Sequence, residues 1–190
     1  MVKSKIGVLA LQGNYYQHKQ MLDKLQMLNA FVKYPDQLHS LDALIIPGGE
    51  SSVISKLIEK NNLREPIIDF SKSRSIFGTC AGMILLSSTK NNSHVLPLNI
   101  MNFTIKRNAW GRQVDSFSAN ILINEMNDSF PGYFIRSPKI KSIGSEIKIL
   151  ANYKGDPVML TDGRHLVSSF HPEISNDVSI HKYFIENLND

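Results

Sequence analysis

Ile76-Phe77-Gly78-Thr79-Cys80-Ala81-Gly82-Met83 is a short apolar run that meets a helical pattern at a cysteine, with a glycine two residues away on either side. This is the form of a nucleophile elbow, a sharp strand-to-helix turn. Its central residue takes a strained backbone conformation, and only small neighbours avoid clashes. A thiol at the start of a helix faces the positive end of the helix dipole, which favours the thiolate. The other reading of a lone cysteine is a small buried hydrophobe. The G-x-C-x-G frame favours the nucleophile.

Upstream of this turn, compact apolar runs alternate with helical patterns. Ile6 to Leu11 reads as a strand, after which Met21, Leu22, Leu25 and Leu28 recur on one helical face. Ala30 to Tyr34 and Ala43 to Ile46 read as further strands and Ser52 to Lys60 as a helix, before Ser75 to Phe77 leads into the elbow. Strand and helix in turn imply a parallel α/β sheet. Downstream, short alternating segments at Phe103 to Ile105, Ser116 to Ile123, Tyr133 to Arg136 and Ile147 to Asn152 read as antiparallel additions. Lys154-Gly155-Asp156 and Asp162-Gly163-Arg164 carry hairpin-turn chemistry. A last helix carries Ile180, Phe184 and Leu188, and no repeat or linker divides the chain, so one domain over residues 1–190 is expected.

The 21 basic and 17 acidic residues leave a charge of +4 with no run of one sign, too thin an excess to argue for a nucleic-acid partner. No apolar stretch approaches the roughly 20 residues of a membrane helix, and Met1 to Leu11 reads as a strand, not a signal peptide. One cysteine allows no internal disulfide and fits a reducing compartment, so the cytoplasm is expected and a membrane is not. The histidines at 18, 39, 94, 165 and 181 show no spacing typical of zinc ligands. No metal is assigned and no cofactor is called for. Met21 and Met83 read as core filling.

Near the C-terminus, Ser169-Phe170-His171-Pro172-Glu173 places an imidazole and a carboxylate two positions apart after the apolar Leu166 and Val167. In an extended segment, alternation points both to one side. A cysteine nucleophile needs a base within hydrogen-bond reach, and the base needs a group to hold its ring. His171 and Glu173 suit those roles, although His-x-Glu alone also describes a capped turn. A third feature, Ile45-Ile46-Pro47-Gly48-Gly49-Glu50-Ser51-Ser52, ends an apolar strand with two glycines. The N–H groups of Gly48 or Gly49, together with that of Ala81, are oxyanion-hole candidates. The same stretch also reads as an ordinary turn with Ser51 or Ser52 capping a helix.

Taken together these residues resemble class I glutamine amidotransferase domains, which pair a G-x-C-x-G elbow with a late His-x-Glu. Within that class the chain is similar to the glutaminase subunits of pyridoxal 5'-phosphate (PLP) synthase. The resemblance rests on Gly7 to Gly13, Pro47 to Ser51, Phe77 to Met83, Asn108 to Gln113, Phe134 to Arg136 and His171 to Glu173, in the expected order. It implies a three-layer flavodoxin-like fold with a mixed central sheet. It also implies hydrolysis of L-glutamine by Cys80, with His171 as proton shuttle and Glu173 orienting it, and ammonia passing to a synthase subunit in a hetero-oligomeric complex. Gly48, Gly49, Glu50, Arg107, Ile135 and Arg136 would contact glutamine. An arginine fork suits a substrate carboxylate, though Arg107 and Arg136 read by themselves as surface ion-pair residues. The chain departs from the family pattern at Ser52, Trp110, Ser137, Ile174-Ser175 and most of all at Asn14-Tyr15-Tyr16-Gln17-His18, where smaller residues and an acidic residue before the histidine are expected. Other readings use the same residues: an amidotransferase domain serving a different synthase or a related cysteine hydrolase acting on gamma-glutamyl substrates, and a noncatalytic binding or regulatory subunit.

Overall fold

A computed structural model of the chain describes residues 4–88, 94–106, 116–126 and 128–188. Its first half alternates strand and helix: β1 (Lys5–Leu9), α1 (Tyr15–Lys24), β2 (Leu28–Val32), β3 (Ala43–Ile46), α2 (Ser51–Lys60), α3 (Arg64–Ser71), β4 (Ser75–Thr79) and α4 (Ala81–Leu86). The second half supplies β5 (Phe103–Lys106), β6 (Ser116–Ile123), β7 (Asp128–Ile135), β8 (Lys139–Ile143), β9 (Lys148–Tyr153), β10 (Asp156–Thr161) and β11 (Leu166–Ser168) before α5 (Ser179–Glu186). Nine strands form one sheet in the order β2-β1-β3-β4-β11-β10-β9-β6-β7, and β5 pairs with β8 in a second. Pairing is parallel from β2 to β11 and antiparallel from β11 to β7. The expected mixed sheet and its antiparallel extension are both present.

The layering follows from side-chain alternation in β3, where all four residues are buried. Ala43 and Ile45 join a core with Leu22 of α1 and Ile180 and Phe184 of α5. Leu44 and Ile46 join the opposite core with Ile54 and Ile58 of α2, Ile67 of α3 and Met83 of α4. A strand apolar on both faces must be covered on both, which makes the sheet the middle of three layers.

Some sequence expectations shift. Leu28, assigned to the helical stripe, instead opens β2 and is exposed. The helix stops earlier because Gln26 turns to a positive φ of 53°, reversing the chain. The α3 helix was not anticipated, since Pro66 interrupts its short pattern; proline is tolerated there because it lies in the first turn. The Lys154-Gly155 turn adopts positive φ at both residues, 50° and 84°, the geometry of a two-residue hairpin that matches strand twist.

The β4 to α4 junction depends on the absence of two side chains. A Cβ on Gly82 would overlap the Ile46 carbonyl oxygen, and one on Gly78 would stand 2.7 Å from the Gly82 carbonyl carbon. Backbone cannot yield as a flexible side chain can. Gly82→Ala is therefore expected to lower stability by about 1–3 kcal/mol, the usual cost of overpacking. Urea unfolding should show this as a lower midpoint at unchanged slope.

Candidate active site

Three adjacent parallel strands deliver the candidate residues to one sheet edge. Ile46 of β3 pairs with Gly78 of β4, and Thr79 pairs with Ser168 of β11. Gly48, Cys80 and His171 follow the carboxyl ends of these strands, the edge where parallel α/β sheets bind ligands. β1 lies beside β3 and brings Gln12, Gly13 and Asn14 to the same edge.

Cys80 adopts φ 47° and ψ −97°, the strained conformation expected of an elbow. Its N–H donates to Ser168 O (2.8 Å), and its carbonyl accepts from Ile84 N (3.2 Å). Its Sγ lies 3.8 Å from the Ile135 carbonyl. His171 is held by its own N–H, which donates to Tyr133 O of β7 (2.8 Å). Its Nδ1 is 2.7 Å from Glu173 Oε1, and both side chains are buried. The route to this contact differs from the expected strand alternation. β11 ends at Ser168, and Pro172–Ile174 form a single 3-10 turn that swings Glu173 back under the ring.

Burial alone would lower the His171 pKa, but hydrogen bonds to Cys80 and Glu173 and their charge outweigh it and raise the imidazole to about 10. Burial likewise opposes ionisation of Glu173. The neighbouring His18 and His171, with hydrogen bonds from His171 and Asn14, hold that carboxyl down at about 2. The arrangement favours a protonated imidazole between sulfur and carboxylate.

A cavity of about 450 Å³ opens over Cys80 and His171, walled by Gly49, Glu50, Ile135 and Arg136. Arg136 holds a positive φ of 46°, a second strained residue at the rim. Gly48 and Ala81 are not part of this wall. The Gly48 N–H donates to Thr79 Oγ1 (3.0 Å), and a Cβ at Gly48 would overlap His171 Cε1. Glu50, not Ser51 or Ser52, caps α2, accepting from Ser52 N (3.4 Å) and Ser52 Oγ (3.0 Å). Arg107 and Trp110 lie outside the described residues. Among the described residues no cluster of His, Cys, Asp or Glu is arranged to hold a metal ion, and no helix is long and apolar enough to cross a membrane.

Sequence reasoning passed over three residues that the site uses. Asn14 Nδ2 donates to Glu173 Oε1 (3.0 Å), His18 Nε2 stands 3.4 Å from Glu173 Oε2, and Thr79 holds Gly48. A signal for His18 exists: it lies three and four residues before Met21 and Leu22, on the buried stripe of α1. Nothing local marks Asn14, whose partner is 159 positions away.

This fold is that of the class I glutamine amidotransferases. A solved structure described as a glutamine amidotransferase superposes with a TM-score of 0.91 at 37% identity, over 96% of this chain and 98% of that one. PurLQS from Thermotoga maritima shares the fold alone, with a TM-score of 0.75 at 12% identity over 99% of this chain and all of that one. The family model of the SNO glutamine amidotransferase family matches residues 8–190, and the chain belongs to that family. Pyridoxal 5'-phosphate synthase subunit PdxT of Francisella tularensis subsp. tularensis (strain WY96-3418) is 42% identical over 181 residues, 95% of this chain and 97% of that protein. The subunit of the same name from subsp. novicida (strain U112) matches with the same identity and coverage.

The pKa shifts have a measurable sign. Glu173 binds its proton more weakly folded (about 2) than its ordinary value of 4.5, so its ionisation stabilises the fold above pH 4.5, and that contribution is lost as pH falls towards 2. His171, raised from 6.5 to about 10, contributes fully below pH 6.5 and loses its contribution as pH rises through 10. Glu173→Gln should move the His171 ring titration, followed by NMR, down towards 6.5. It should also flatten the acid-side dependence of the urea midpoint. A His171 titration unmoved by the substitution would contradict this account.

Proposed function

We propose that this chain hydrolyses L-glutamine to L-glutamate and ammonia at Cys80, and that the ammonia passes to the synthase subunit of a PLP synthase complex. The observation that carries the reading is the strained Cys80 elbow in one cavity with His171, whose ring is held by the buried Glu173. Family membership and the relatives' description as PLP synthase subunits support the substrate and the destination of the nitrogen.

In this reading the Cys80 thiolate attacks the side-chain amide carbon of glutamine, forming an S–C bond and placing negative charge on the amide oxygen. His171 gives a proton to the departing nitrogen, and the C–N bond breaks to release ammonia. A glutamyl thioester remains. Water, deprotonated by His171, then cleaves the thioester to glutamate and restores the thiol. Glu173 keeps the imidazole oriented and charged. Arg136 and Glu50 bring opposite charges to the same cavity, which suits the carboxylate and ammonium of a free amino acid. Gly48 and Gly49 with Ala81 receive the oxyanion. The Gly48 N–H must first exchange its bond with Thr79, and docking of the synthase subunit supplies that change. Hydrolysis without a partner is then slow, which spares glutamine when no acceptor is present. A free Cys80 thiol suits the reducing cytoplasm.

Ammonia release from glutamine should rise strongly when the synthase subunit is added, and Cys80→Ala should return it to background. Release that is equal with and without the subunit would remove the docking step. Absence of release from a folded, assembled complex would overturn the glutaminase reading.

A further inference from the structure

Behind His171 a chain of polar groups runs from α5 through α1 to Glu173 and Gly48, and reaches the cavity at Asn14. The His18 ring on α1 is fully buried, with Nδ1 2.9 Å from His181 Nε2 of α5 and Nε2 3.1 Å from Thr79 Oγ1. The same Nε2 stands 3.4 Å from Glu173 Oε2, a buried oxygen with no hydrogen bond to any described residue. One helical turn earlier, Asn14 donates through Nδ2 to Glu173 Oε1 (3.0 Å), with the same Nδ2 3.4 Å from His171 Nδ1, and through its backbone N–H to Gly48 O (2.9 Å). Thr79 Oγ1 accepts the Gly48 N–H (3.0 Å). The opening of α1 therefore meets both carboxylate oxygens of Glu173. It also meets both polar atoms of the Gly48 backbone, the oxygen directly and the nitrogen through Thr79.

The tautomers follow from the partners. An ionised carboxylate only accepts, which favours a proton on His18 Nε2, the nitrogen that faces Glu173 Oε2 (3.4 Å) and Thr79 Oγ1 (3.1 Å). A neutral ring has one proton, which leaves His18 Nδ1 to accept from His181 Nε2–H. His181 Nδ1 is then bare, in keeping with its having no hydrogen-bond partner among the described residues. Burial lowers the pKa of both rings against the pull of the Glu173 charge, that of His181 to about 3. The titratable groups around Glu173 are thus His171 from its own turn, with Cys80 beyond it, His18 from α1 and His181 from α5.

We propose that Asn14 and His18 are positioning residues that hold the Glu173 carboxylate and the Gly48 peptide as one unit, so that a movement of α1 acts on the proton-transfer pair and the oxyanion backbone together. The inference deepens the glutaminase reading and rests on it. Without His18, the buried Oε2 of Glu173 loses the imidazole that faces it and the carboxyl gains protons more readily. The His171 charge weakens with it, and the Cys80 thiolate loses its partner. Because His18 is not part of the cavity wall, its loss acts on the chemistry while that wall stays in place.

The test uses the chain assembled with its synthase subunit and compares wild type with Asn14→Ala, His18→Leu and His18→Gln. The readouts are kcat and KM for glutamine, and the pH dependence of kcat and of Cys80 alkylation by iodoacetamide. Asn14→Ala and His18→Leu should each lower kcat about tenfold, the worth of one hydrogen bond in the transition state. For His18→Leu, which leaves the cavity wall intact, KM should stay within about twofold, the signature of an interaction lost from the chemical step. The acid limb of both pH profiles should move to higher pH. His18→Gln, whose amide can return a donor to the Nε2 position, should recover most of kcat. If His18→Leu does not fold, Asn14→Ala, at a half-buried helix cap, decides alone. An active wild type with unchanged kcat and pH profile in Asn14→Ala overturns the positioning proposal. A wild type that neither releases ammonia nor reacts at Cys80 overturns the glutaminase reading beneath it.

Discussion

The backbone of Cys80 is held where L side chains rarely go, at φ 47°. Every other part of the site is arranged around that residue. Such a conformation costs about 1–3 kcal/mol and persists only where the surroundings over-determine it. Here Ser168 of β11 takes the Cys80 N–H, α4 takes its carbonyl, and Gly78 and Gly82 let the helix close against β3. The strain is local, but its support is tertiary. Three strands must hold their parallel register for the elbow to stand, since a shift of one residue would turn every side chain to the opposite face.

A second constraint is electrostatic. Glu173 is almost wholly buried, and a buried charge without partners costs several kcal/mol. Its partners are therefore structural and chemical at once. His171 and Asn14 meet one oxygen, and His18 faces the other. The same contacts that make the carboxylate tolerable hold the imidazole protonated beside sulfur. Burial of the carboxylate and protonation of the imidazole draw on a single set of hydrogen bonds, which reaches from α1 to His171.

Legibility in the sequence followed the range of each interaction. The elbow was readable because its steric demand falls on residues within two positions of Cys80, and Gly78 and Gly82 answer it. The Lys154-Gly155 hairpin was readable because positive φ is a local requirement. His171 and Glu173 were found as a pair, yet the way they meet was misjudged, because the short β11 and the turn at Pro172 are set by what packs around them. Leu28 was misplaced for a related reason: helical spacing continues past Leu25, while the chain reverses at Gln26.

By itself the sequence determined the alternation of strand and helix, the cysteine turn, the pairing of an imidazole with a carboxylate and the glycines that permit close backbone approach. These depend on neighbours a few positions apart. Tertiary structure alone decided that Asn14 and His18 meet Glu173, that Thr79 holds the Gly48 N–H, and that His171 is raised and Glu173 lowered in pKa. Hydrogen bonds and pKa shifts depend on distance and on exclusion of water. For residues separated by as many as 159 positions, only the packed sheet and its two helical layers set both.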